Sequence, residues 1–116
     1  MPADGWVLFE TGWSRLWQKP DAYHTAFPGV TEEAVRFLCR ERTIAGIGID
    51  SPGVDGGAST DFAANRLLAE HGALHLENLR RLEQLPAVGF QLFIGALPLA
   101  GATGSPCRVI ALMPSP

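Results

Sequence analysis

Charge is scarce in this chain, and so are cysteine, basic clusters and long apolar runs. Only 18% of the 116 residues are charged, with a formal net charge of −3. No basic cluster exceeds Arg80-Arg81, so there is no electrostatic footprint for a phosphate backbone and nucleic acid is not an expected partner. No apolar run reaches the ~18 residues that a membrane helix needs, and the opening MPADGWVLFE has no basic region ahead of its apolar residues, as a secretory signal would. Two cysteines, Cys39 and Cys107, are too few for a disulfide framework; in their apolar contexts they are expected to be buried free thiols in a reducing, cytoplasmic setting. There is no Gly-x-Ser-x-Gly elbow, neither cysteine has a histidine nearby in sequence, and Gly53, Gly56 and Gly57 lack the spacing of a phosphate-binding loop.

What is present is apolar surface. At 47% hydrophobic residues the chain has enough for one core, and its length allows one domain at most, over residues 1–116. The pattern predicts an α/β fold. GWVLFET at 5–11 suits a strand. The segment between Gly12 and Gly29 is expected to be a loop, with Pro20 and Pro28 blocking regular structure. A helix follows at 31–41, capped by Thr31, with Ala34, Val35, Leu38 and Cys39 in one stripe. IAGIGID at 44–50 is β-branched and apolar, as in a buried strand, and ends in the polar turn Asp50-Ser51-Pro52-Gly53. A second helix is expected at 60–71, capped by Ser59 or Thr60, with Ala64, Leu67, Leu68 and His71 toward the core and Gly72 as its stop. Residues 73–77 then alternate, so that Leu74 and Leu76 share one face and His75 and Glu77 the other. Leu79, Leu82 and Leu85 suggest a helical turn over 78–85, and strands at 89–97 and 107–112 are expected to close the sheet.

Several residues are chemically suggestive, each with an ordinary alternative. Trp13, Trp17, Tyr23 and Phe27 crowd one connection; they suit a hydrophobic lid over a substrate pocket, or rings that cover the end of the sheet. His71 and His75 are four apart, but Gly72 breaks the helix that would align them as metal ligands. His75 and Glu77 on one strand face are a better pair of donors, although an exposed polar face explains them equally well. Asp50, Asp55 and Asp61 read as turn and cap residues rather than as a carboxylate cluster. Glu77 itself would also suit the positive end of a helical turn at 78–85.

The order of five segments adds to this. VLFETGW (7–13), Pro28-Gly29-Val30 with TEEAVRFL (31–38), GIGIDSPGVD (46–55), the LL…G…LENL run from 67 to 79, and GSPCRVIAL (104–112) together resemble the C-terminal half of the cyclase family. These are metal-dependent hydrolases of the kynurenine formamidase, or arylformamidase, type. The resemblance implies a swivelling β/β/α-type fold, a mixed sheet with flanking helices, of which only the C-terminal half is present. It also implies hydrolysis of amide, cyclic or formyl C–N bonds in a small-molecule substrate, with Zn²⁺ or Mn²⁺ as cofactor.

In that family most ligands, and the acid/base histidine, come from an N-terminal His-x-Gly-Thr-His-x-Asp-x-Pro-x-His motif; a histidine and a glutamate from the C-terminal half complete the set. The glutamate corresponds to Glu77. The histidine position, twelve residues earlier, is Asn65 here, and a neutral amide oxygen is a poorer Zn²⁺ ligand than imidazole. The N-terminal motif does not occur in this sequence, and Glu10 stands where an arginine is common. Two expectations follow. One is a formamidase-like polypeptide lacking its catalytic N-terminal half, either a fragment or a subunit completed by another chain that carries the histidine motif. The other is a non-catalytic remnant that serves as an assembly module; in either case the chain is expected to be a homo-oligomer or to bind a complementary chain.

Overall fold

Three short strands, Trp6–Phe9 (β1), Gly46–Ile49 (β2) and Leu74–Leu76 (β3), run parallel in the order β1-β2-β3. The structure is a computed structural model and describes residues 3–114. Parallel neighbours need crossover connections, and the chain supplies two. Between β1 and β2 lie a 3-10 turn at Trp13–Leu16, one turn of helix at Pro20–Tyr23 (α1) and the helix Glu32–Arg42 (α2). Between β2 and β3 lies Ala63–Glu70 (α3). β2 is buried along its whole length, as expected for a central parallel strand with both faces covered.

The helices pack on one face of this sheet. Val7, Phe9, Ile47 and Ile49 meet Val35 and Cys39 of α2 and Ala64, Leu67 and Leu68 of α3. On the other face Gly46 and Gly48 leave room for larger neighbours. A Cβ at Gly46 would lie 2.5 Å from the Trp6 ring and 2.6 Å from the Leu74 carbonyl oxygen; one at Gly48 would lie 2.5 Å from Leu8 and 2.7 Å from Leu79. The alternation of glycine and isoleucine in GIGI is therefore a requirement of packing, with large residues toward the helices and none toward the neighbouring strands' side chains.

Several expectations change. Pro20 does not block regular structure; it starts α1, where its missing N–H costs nothing. α2 behaves as expected, with Thr31 Oγ1 accepting from the Ala34 amide at 3.3 Å. α3 starts later than expected, because Ser59 Oγ accepts the Phe62 amide and closes a turn ahead of the helix. The cap of α3 is Asp55, whose two carboxylate oxygens accept the Ala64 and Asn65 amides at 2.8 and 3.0 Å. His71 is exposed rather than in the core: it ends α3, its ring Nδ1 2.8 Å from the Leu67 carbonyl oxygen, before Gly72 reverses the chain at φ 68°. Leu74 is exposed at the start of β3, whereas Leu76 is buried.

The chain's contacts divide it into two units, Met1–Leu82 and Glu83–Pro116. The second contains the strands Gln91–Ala96 (β4) and Cys107–Leu112 (β5), paired antiparallel with Phe93 opposite Ile110. Among the described residues these strands pair with each other and not with the first sheet. Cys107, expected to be buried, is exposed at the start of β5, while Cys39 is buried and its thiol pKa is pushed up by burial. Among the described residues no helix is long and apolar enough to cross a membrane.

Candidate functional site

Three chain segments leave the carboxyl ends of β1, β2 and β3 side by side, which is where open α/β sheets place ligands. Asp50, at the end of β2, is 1% exposed and holds the first segment. Its Oδ1 accepts from the Thr11 amide at 2.9 Å and from the Thr11 hydroxyl at 2.6 Å, and its Oδ2 lies 3.4 Å from the Ser14 amide. A buried carboxylate is tolerable only with such donors. Asp50 therefore acts on the backbone, as a turn residue should.

The next two residues fix the third segment. The Ser51 hydroxyl lies 2.8 Å from the Pro28 carbonyl and 3.0 Å from that of Gly53. The Ser51 carbonyl accepts from the Asn78 amide at 2.9 Å. Asn78 adopts a left-handed backbone, φ 58°, which asparagine tolerates better than most residues. Its side-chain Oδ1 accepts from the Tyr23 hydroxyl at 2.8 Å. Tyr23 is 1% exposed, and its pKa is raised, first by burial and then by the Asp50 carboxylate; Arg80 opposes the rise and Glu77 adds to it.

Glu77 is thereby set between the buried Leu76 and the anchored Asn78. Its carboxylate lies beside the Gly53 turn, where an added Cβ would come within 3.7 Å of Oε1. Glu77 Oε1 and His75 Nε2 are 3.3 Å apart, with side chains 35% and 28% exposed. The alternation expected at 73–77 thus holds at this pair. The alternative role for Glu77, at the positive end of a helical turn over 78–85, does not hold. Asn78 and Arg81 both have positive φ, and only Leu82–Gln84 forms a 3-10 turn.

The other candidate residues are dispersed. Asn65 sits in the first turn of α3, its amide bound to Asp55, and no hydrogen bond joins its side chain to Glu77 or His75. Trp13 donates its indole N–H to the Tyr23 carbonyl at 2.8 Å, and Trp17 packs edge-on against the Tyr23 ring while remaining 46% exposed. The aromatic connection therefore braces Tyr23 and leaves Trp17 at the surface. Sequence reasoning missed Tyr23 and Asn78 as partners. The only signal was a lone tyrosine in an aromatic-rich connection.

A shallow cleft of about 400 Å³ opens between the starts of α2 and α3, lined by Thr31, Glu32, Asp55 and Asp61 among others. It contains none of Glu77, Asn65, Trp13 or Trp17, and Thr31 and Asp55 already cap the two helices beside it.

An imidazole nitrogen and a carboxylate oxygen are donors that Zn²⁺ and Mn²⁺ accept. Among the described residues no group of three or more His, Cys, Asp or Glu side chains is placed to hold an ion. The chain thus offers a donor pair that fits part of a metal site, rather than a closed one.

Known proteins resemble this chain in sequence and in structure. The Cyclase family model matches residues 1–56, a stretch that ends before α3 and β3. The chain is similar to the structure of isatin hydrolase A from Ralstonia solanacearum, with 32% identity and a TM-score of 0.91; the match covers 97% of this chain and 47% of that one. It is 38% identical to kynurenine formamidase of Polaromonas naphthalenivorans over 63% of this chain and 32% of that protein. A structure described as a potential metal-dependent hydrolase with cyclase activity matches all of this chain and 54% of its own, with 30% identity and a TM-score of 0.80. The chain spans about half the length, or less, of these relatives.

Proposed function

Because this chain belongs to the cyclase family, we propose that it forms part of a metal-dependent hydrolase of amide or formyl C–N bonds in small molecules. Isatin hydrolase and kynurenine formamidase, the names of its relatives, support that bond class. In this reading the chain is the C-terminal half of a swivelling β/β/α-type domain in a cytoplasmic protein. The histidine motif comes from outside residues 1–116, and the chain associates with a complementary chain or with further copies of itself.

The observation that carries the reading is Glu77: a part-exposed carboxylate at the carboxyl end of a parallel sheet, 3.3 Å from an imidazole nitrogen. Glu77 would be one of the residues that hold Zn²⁺ or Mn²⁺. Ser51, Asn78 and Tyr23 fix the backbone that aims it. When bound, the metal supplies a Lewis acid at the scissile carbonyl. Trp17, packed edge-on against Tyr23 at the surface, would offer an apolar wall to the substrate, while Trp13 holds the Tyr23 backbone carbonyl. The second ligand position of this half, which the resemblance puts on Asn65, is taken up below.

Metal analysis of the purified chain, with an N-formyl-aryl amide hydrolysis assay, tests the reading. Bound Zn²⁺ or Mn²⁺ that is lost in Glu77→Ala is the expected result. Metal retained in that variant, or no metal bound by the parent chain, would overturn the role of Glu77.

A second reading, an assembly module without catalysis, is favoured by the β4–β5 hairpin. Phe93, Ile110 and Leu112 share one of its faces and are 58, 46 and 56% exposed. Apolar side chains gathered on one open sheet face suit a protein partner.

A further inference from the structure

We propose that His75, rather than Asn65, is the nitrogen donor that joins Glu77 in holding a divalent metal ion. The inference rests on the metal-site reading of Glu77 and deepens it.

Strand geometry makes the pair. His75 and Glu77 are two apart at the end of β3, so both project from one face. The pairing of Val7 with Ile47 and of Ile47 with His75 identifies that face as the one the helices cover. Both side chains nevertheless remain about one-third exposed at the sheet's end, so an ion reaches them without opening the core.

The separation also suits a shared metal ion. With bonds of about 2.0–2.2 Å and a tetrahedral angle between them, two donors on one Zn²⁺ lie roughly 3.4 Å apart. His75 Nε2 and Glu77 Oε1 are 3.3 Å apart. That is longer than the roughly 2.7–2.9 Å of a charge-assisted N–H···O hydrogen bond. The two groups thus stand at chelating distance without closing a strong bond to each other. Asn65 is the poorer donor: it lies on α3 rather than beside Glu77 on the strand, and it offers a neutral amide oxygen where His75 offers an imidazole nitrogen. An imidazole two residues from the carboxylate thus replaces the one expected twelve residues away.

The test is titration of the full chain with Zn²⁺ by calorimetry, with NMR of the imidazole nitrogens of its three histidines. On addition of Zn²⁺ the His75 nitrogen signals are expected to move, and those of His24 and His71 to stay. His75→Ala and Glu77→Gln are each expected to weaken binding by roughly tenfold or more, and Asn65→Ala by much less. His75→Gln, which keeps a polar side chain on the strand, guards against loss of the fold, and its thermal transition is compared with that of the parent chain. If Asn65→Ala weakens binding and neither His75 variant does, the inference fails while the reading of Glu77 stands. If Glu77→Gln leaves binding unchanged, or the parent chain binds no Zn²⁺, both fail.

Discussion

Tyr23 carries more of the site's order than any residue at its rim. The Trp13 indole N–H holds its backbone carbonyl, the Trp17 ring packs on its own, and its hydroxyl donates to Asn78 beside Glu77. Burial and the Asp50 carboxylate both disfavour the phenolate, so the folded state holds the phenolic proton more tightly than the unfolded chain does. The associated stability is therefore complete below the ordinary pKa of 10.0 and is lost as pH rises through the higher folded-state value. Tyr23 is the only tyrosine, so the ultraviolet absorbance of the phenolate reports it alone. Its titration midpoint is expected above 10.0 in the folded chain and near 10.0 in guanidinium. Tyr23→Phe, which leaves Asn78 Oδ1 without its donor, is expected to cost about 1–3 kcal/mol in chemical denaturation. At this scale the sequence was legible where two polar side chains share one strand face, as His75 and Glu77 do. It was not legible where partners lie 55 residues apart, as Tyr23 and Asn78 do.

The helices and strands divide along the same line between local and distant causes. α2 could be read because its cap, its acidic first turn and its apolar stripe lie within its own segment. β2 could be read because burial on both faces leaves an unbroken apolar run. The start of α3 could not, since its cap comes from Asp55, eight residues ahead of the helix, while nearby Ser59 closes a separate turn. The stretch 78–85 has leucines at helical spacing, yet the backbone hydrogen bonds of Asn78 and Leu79 go to the β2 end, and a helix does not form there. Asp55 gives this scale its prediction. One carboxylate satisfies two amides of α3, so Asp55→Ala is expected to cost about 1–2 kcal/mol, at the upper end for a cap, and to lower the thermal midpoint. Ser59→Ala, which affects only the preceding turn, is expected to cost less. A larger loss from Ser59→Ala than from Asp55→Ala would show that Ser59, not Asp55, sets the start of the helix.

For the whole chain, the feature that the local patterns did not reveal is the separation of β4 and β5 from the parallel sheet. Alternation identifies a strand but not its partner, and the turn-rich segment between these two lets them pair with each other. A two-stranded hairpin is marginally stable alone in water, and this one shows Phe93, Ile110 and Leu112 on one face. Covering that face with a second copy would remove the apolar side chains from water at about 25 cal/mol per Å² buried. Sedimentation of the purified chain is therefore expected to give a mass above the 12.4 kDa of one copy. Phe93 and Ile110 stand directly opposite each other, so Phe93→Glu with Ile110→Lys replaces an apolar cross-strand pair by an oppositely charged one. That double variant keeps an attractive pair within the hairpin while removing the apolar face, and is expected to sediment as a single copy. An unchanged assembly in the variant would place the interface elsewhere on the chain, and a monomeric parent would remove the case for self-association altogether.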